Sequence, residues 1–153
     1  CLREEVREKA MLNDPFVHRV DEKGRMSFPS SYRKQLPSEL KVLKSPTDDC
    51  LMVFSAEHYE AWINELFESK GGYNPTSKSH RNLKRYLTTH TTDVEIDKAG
   101  RIGLRLDLRA SVGIEGQAVI AGNDDHVEIW STANWAIAEG EDDSDSFGDF
   151  FGS

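Results

Sequence analysis

Apolar and polar residues alternate over Phe16-Val17-His18-Arg19-Val20, which predicts a half-buried β-strand. The next four residues carry turn chemistry: an Asp at 21 can bond its own backbone two residues on, and Gly24 accepts positive φ. Arg25 to Phe28 resumes as a second strand, so 16–28 reads as a β-hairpin broken at Pro29. Ser30 and Ser31 can cap a short helix that carries Tyr32, Arg33 and Leu36 and stops at Pro37. Leu40–Leu43 and Leu51–Phe54 form another strand pair around the Ser45-Pro46-Thr47-Asp48-Asp49 turn. Ser55 then resembles an N-cap. Behind it Tyr59, Trp62, Ile63, Leu66 and Phe67 recur at helical spacing until Gly71-Gly72, an amphipathic helix. A linker at 72–77 precedes a helix over about 78–90, with Leu83, Tyr86 and Leu87 on one face and basic residues on the rest.

The second half replays the first. Thr92-Val94-Ile96 alternates into Asp97, and Arg101-Ile102-Leu104 returns after Gly100. A short helix about Asp107–Ser111 stops at Gly113, strands near 117–121 and 126–130 flank Gly122-Asn123-Asp124-Asp125, and Ser131 opens a stub helix through Trp135. At one constant offset Asp21 falls on Asp97, Gly24 on Gly100, Arg25 on Arg101, Arg33 on Arg109, Glu39 on Glu115 and Asp49 on Asp125, with no gap. Each half is therefore a short β-β-α-β-β-α unit that buries little alone and leaves sheet edges open. Two copies in one chain can solve this by pairing, as an intramolecular pseudo-dimer with interleaved hairpins. The expected divisions are a charged leader at 1–14, a first repeat at 15–71, a linker and basic helix at 72–90, a second repeat at 91–138, and an acidic disordered tail at 139–153.

Composition then narrows the class. A chain of 153 residues with 37% apolar and 9% aromatic content can build a core. No apolar run approaches the roughly 18 residues of a membrane span. Cys1 and Cys50 lack metal-type spacing, so a disulfide framework is not expected and a reducing cytoplasm is the simpler inference. Cys1 leaves two readings open, a lipid-anchored mature end or a truncated or mis-set start with Met11 as the true first residue; the second is favoured. The net charge of −8 argues at first against a nucleic-acid partner. Yet Glu139, Glu141, Asp142, Asp143, Asp145 and Asp149 carry six of those charges, leaving the remainder near −2. Lys78, Arg81, Lys84 and Arg85 form a basic cluster within that remainder, so acidity does not exclude DNA.

The repeated D-x-x-G-R turn, the Arg25–Arg33 run R-M-S-F-P-S-S-Y-R and the strand ending Glu128-Ile129-Trp130-Ser131 resemble the MraZ family of bacterial transcriptional regulators, over about residues 13–138. The resemblance implies an α+β fold: a swapped-hairpin AbrB-like β-barrel formed by two tandem ββαββα repeats in a pseudo-dimer. It also implies ring-shaped homo-oligomers and binding of double-stranded DNA at short, G-rich direct repeats upstream of the family's own division and cell-wall operon. A cytoplasmic, nucleoid-associated location follows. The family's DNA-contacting arginine maps onto Arg25, with Arg101 as its repeat partner.

The residues agree with that chemistry. A β-hairpin can enter the major groove, where a guanidinium fork chelates guanine O6 and N7. Lys23 and Lys98 at the turn tips suit phosphate contacts, which set register without reading sequence. Asp21, Gly24, Asp97 and Gly100 shape the turns, because carboxylates there would repel phosphate. The second motif departs from the family: where Pro29 follows Phe28, Arg105 follows Leu104. Arg105 adds a positive group, or the lost proline shifts the next helix; on that ground Arg25 is the favoured base reader. Arg33 and Arg109 are read as salt-bridged supports of the hairpin rather than phosphate contacts.

Enzyme readings find little. Cys50 reads as a structural thiol, and His18, His58, His80, His90 and His126 show no ligand spacing, so no metal, cofactor or small-molecule substrate is expected. Phe147, Phe150 and Phe151 among acids resemble a docking segment; a solubilising end is the alternative. Two rival functions remain, an antitoxin-like protein-binding module and a ring-forming scaffold.

Overall fold

A computed structural model describes residues 15–123 and 125–141. The leader at 1–14 and the acidic run at 142–153 lie outside the described residues, as does Asp124. The chain is mixed α+β, with eight strands and five helices among the described residues. In the first half these are β1 (Pro15–Arg19), β2 (Arg25–Ser27), α1 (Ser30–Gln35), β3 (Glu39–Lys44), β4 (Leu51–Phe54) and α2 (Ala56–Glu68). Helix α3 (Lys78–Thr89) leads to β5 (Thr92–Glu95), β6 (Arg101–Gly103), α4 (Leu106–Ser111), β7 (Gln117–Asn123), β8 (His126–Trp130) and α5 (Thr132–Glu141).

The hairpin expected over 16–28 keeps its turn but not its pairing. Asp21 N donates to Arg25 O at 3.0 Å, and beyond that the strands diverge. Strand β1 pairs antiparallel with β7, β2 with β6, and β5 with β3. Each partner belongs to the other repeat, so the halves are interleaved. The strands order as β1-β7-β8-β4-β3-β5 in one sheet and β2-β6 in a second. Among the described residues β1 and β5 are thus the ends of the six-stranded sheet, and its ladder does not close into a barrel.

A pseudo-twofold relates the halves. In the β2–β6 ladder Met26 faces Ile102, and the pair Arg25↔Gly103 mirrors Ser27↔Arg101. β4 and β8 pair symmetrically around Met52↔Glu128. The gap-free repeat nevertheless needs correcting. Arg19 pairs with Gln117, whereas its repeat counterpart Glu95 pairs with Glu39. Gln117 therefore corresponds to Glu39, two residues off the constant offset. The second half is two residues longer before β7 and two shorter in the following turn, where Asn123 pairs directly with His126. A shift of two leaves every side chain on its original face, so the apolar pattern cannot register it.

The sheet has two covered faces. On one, Leu40, Val42, Leu51, Val53, Ile120 and Ile129 meet Met26, Phe28, Tyr32, Ile102 and Leu104 from the β2–β6 side, forming the main core with α4's Leu108. On the other, Leu43, Met52 and Phe54 pack against Tyr59 of α2 and Leu87 of α3. Val119, Cys50 and Trp130 pack there against Trp135 and Ala138 of α5. The molecule has three layers, with helices outermost and the small ribbon on the far side. Two helices differ from expectation. Tyr86 leaves the apolar face of α3, 39% exposed, and stacks on His90. α5 runs past Trp135 to Glu141, so residues 139–141 belong to it rather than to a tail. Ala133, Ala136 and Ala138, strong helix formers, carry it through.

Candidate nucleic-acid interface

Each D-x-x-G-R turn is locked by its own aspartate. Asp21 Oδ1 accepts from Lys23 N and Arg25 N, both at 2.9 Å, and Oδ2 accepts from Arg25 Nε at 3.1 Å. Asp97 Oδ1 accepts from Ala99 N and Arg101 N, again at 2.9 Å. These backbone bonds, from Arg25 and Arg101 first, hold both carboxyls below the usual range despite their exposure. Gly24 and Gly100 complete the turns at φ +82° and +79°, left-handed values that favour glycine.

The arginines are not at two separate tips. Met26 and Ile102 point into the core, 1% exposed each, so alternation along the ribbon turns residues 25, 27, 101 and 103 outward together. Arg25 and Arg101 thus share one solvent face of a single two-stranded ribbon, their side chains 43% and 40% exposed. The two aspartates serve one composite site, since Arg25 also stabilises the Asp97 carboxylate. Arg25 is held more tightly than Arg101, whose Nε lies 3.6 Å from Asp97 Oδ2 and has no hydrogen-bond partner.

Arg33 and Arg109 support the ribbon, though not by the expected salt bridge. Arg109 lies against Gly24, and its Nε donates to Leu104 O at 3.0 Å. Arg33 lies against Gly100. Each therefore braces the turn of the opposite repeat. Backbone bonds repeat the exchange: Phe28 N donates to Gly100 O at 3.0 Å and Leu104 N to Gly24 O at 2.9 Å.

Comparison with known proteins decides the family. A family model described as "MraZ protein, putative antitoxin-like" matches residues 11–78 and 87–149. A transcriptional regulator MraZ of Limosilactobacillus reuteri is 34% identical over 126 residues, covering 82% of this chain and 84% of the relative. The namesake of Thermomicrobium roseum is 33% identical, covering 79% and 82%, and that of Coxiella burnetii 32%, covering 78% of each. The chain belongs to the MraZ family.

Arg105 stands where the first repeat has Pro29, and the backbone there is unchanged. Pro29 has φ −54° and ψ 146°, Arg105 −63° and 152°, and the helices that follow occupy equivalent positions. Arg105 is held by Asp107 through two bonds of 3.1 and 2.8 Å, which offsets its charge. Lys23 and Lys98 lie exposed in the turns.

Elsewhere, Cys50 is buried, and burial pushes its thiol far up, away from nucleophilic thiolate. Among the described residues no His, Cys, Asp and Glu group suits a metal. One cluster escaped the sequence reading. His126 bonds Asp125 at 2.8 Å and Glu128 at 3.2 Å, while Trp130 Nε1 donates to Glu128 at 3.0 Å. Burial disfavours the imidazolium, but the two carboxylates outweigh it and raise the pKa of His126. The strand hides this cluster from sequence because only Asp125 recurs in the first repeat, as Asp49, while Cys50 and Met52 stand where the second has His126 and Glu128.

Proposed function

We propose that this chain is a sequence-specific, DNA-binding transcriptional regulator and not an enzyme, acting through the outward face of the β2–β6 ribbon. The observation that carries the reading is the placement of Arg25 and Arg101 on one exposed face of a two-stranded ribbon. A two-stranded ribbon fits the major groove of B-form DNA, and a guanidinium there reads guanine. Each bidentate arginine–guanine contact is worth about 1–3 kcal/mol of discrimination, so one ribbon binds weakly. A ring of identical chains on short direct repeats upstream of its own operon multiplies that affinity. The ring and nucleoid association in the cytoplasm belong to this proposal. The names of the relatives, transcriptional regulators, support it.

Lys23 and Lys98 flank the face as phosphate contacts, and Arg105 plays a lesser part because Asp107 already pairs it. Arg25→Ala should lose preference for the chain's own upstream DNA over scrambled DNA, with oligomer size unchanged in light scattering. Arg101→Ala should behave similarly, since the two share one face. Lys23→Ala should weaken both DNAs equally and reduce the salt slope of binding by about 1. A wild-type chain that binds scrambled and upstream DNA alike would remove the regulator reading and leave the scaffold or the antitoxin-like module.

A further inference from the structure

Helix α3 carries Lys78, Arg81, Lys84 and Arg85 and no acidic residue. Among the described residues none of the four forms an ion pair. The cations are aimed without being neutralised. Arg81 Nη1 donates to Pro75 O at 3.0 Å, Arg85 Nη1 to Asn82 Oδ1 at 3.0 Å, and Lys84 Nζ sits 4.6 Å from the centre of the Tyr73 ring. Tyr73 and Tyr86 add apolar surface, 38% and 39% exposed. The face is therefore basic and aromatic. Leu87 seats α3 on the sheet face opposite the ribbon, so a duplex lying on the ribbon is screened from it by the sheet.

We propose that residues 142–153 of the same chain occupy this face. The segment carries Asp142, Asp143, Asp145 and Asp149, interleaved with Phe147, Phe150 and Phe151, and no Lys or Arg. Its charge and its rings complement those of α3. It begins where α5 ends at Glu141, and Trp135 and Ala138 place α5 in the same outer layer as α3. α5 covers Val119 and Trp130, whereas α3 covers Leu43 and Met52. Strands β7 and β3 are separated by three ladder steps, about 15 Å at the usual strand spacing. Twelve extended residues reach about 40 Å. Tethering raises the effective concentration to the millimolar range, so individually weak contacts suffice. With the segment docked, α3 is closed to other polyanions.

The test is zero-length carbodiimide cross-linking of the full chain, using a mixture of ¹⁴N- and ¹⁵N-labelled protein, with linked peptides read by mass spectrometry. Amide links should join Lys78 or Lys84 to Asp142, Asp143, Asp145 or Asp149 within one isotope, and fall several-fold between about 0.05 and 0.5 M salt as screening shortens. Asn substitution of all four aspartates, which lie outside the described residues, should shift the backbone amide resonances of 78–89 in the full chain. Four results would overturn the proposal: no link to α3; tail links spread evenly over Lys23, Lys44 and Lys98; mixed-isotope links from α3 to a second copy, including to Glu57, Glu60, Glu65 or Glu68 of its α2; or unmoved α3 resonances in the Asn variant.

Discussion

Gly24 and Gly100 hold nearly the same backbone angle against different neighbours, and that difference predicts different costs. A Cβ at Gly24 would strike the carbonyl oxygen of Leu104, and would lie 2.6 Å from Arg109 Nε. At Gly100 the three atoms nearest to it all belong to the side chain of Arg33, which can swing away. Alanine at either site also meets the penalty of positive φ, about 1 kcal/mol. Gly100→Ala should thus lose about 1–2 kcal/mol and Gly24→Ala about 2–4, read as urea midpoints at constant m. Adding Arg33→Ala should recover part of the Gly100→Ala loss, whereas Arg109→Ala should not rescue Gly24→Ala, because the carbonyl stays. Equal losses and equal rescue would contradict the bracing geometry. The glycines were legible in the sequence as turn formers, since D-x-x-G-R carries its own local chemistry. Their braces were not, because Arg33 and Arg109 act on turns more than sixty residues away, and only the exchange of strands brings them there.

Elements followed the sequence wherever local periodicity decided them. Helix α2 ends before Gly71-Gly72 and is capped by Ser55, as its spacing predicts, and β8 matches its predicted 126–130. Strand partners were less legible: alternation says which face a residue takes, not which strand lies alongside, and a two-residue shift keeps the face. The same blindness hid the polar cluster on β8. There the pKa shifts give a pH dependence with a definite sign. His126 is raised above its ordinary 6.5, so its contribution is full below that value and is lost as pH climbs through the folded-state pKa. Glu128 is lowered from 4.5; burial opposes this, and the bonds from His126, Trp130 and Asn123 overcome it. Its contribution is full above 4.5 and is lost as pH falls through the folded value. The cluster therefore stabilises most between those two ordinary values. His18, lowered by burial, works in the opposite sense, so the informative quantity is a difference. Wild type minus His126→Gln, measured as thermal midpoint, should be largest between about pH 4.5 and 6.5 and shrink above it. A difference that stays flat with pH would mean that the imidazole is neutral throughout.

At the scale of the whole molecule, the exchange of strands makes the two repeats mutually dependent. Among the described residues the first repeat's β1 has its ladder only with β7, and β3 needs β5 on one side and β4 on the other. β4 is in turn sealed by β8. Residues 15–90 expressed alone would leave β1, β2, β3 and β4 with exposed edges and open the main core, which Ile102, Leu104, Ile120 and Ile129 help to fill. Such a fragment has two outcomes available. It stays unfolded, or it pairs with a second copy that supplies the missing strands, because the β2–β6 and β4–β8 ladders are already symmetric and a homodimer can rebuild both. Helix α3 travels with this fragment, so Leu87 still covers Leu43 and Phe54, and loss of the outer layer is not what would unfold it. Light scattering and far-UV circular dichroism over a concentration series distinguish these outcomes: structure should appear only together with dimer mass, its midpoint moving with concentration. The rebuilt dimer should present two copies of Arg25 on one ribbon, in place of Arg25 and Arg101. A folded monomer of 15–90 would show that the repeats are independent domains, and the shared arginine face would then be an accident of packing rather than a product of the duplication.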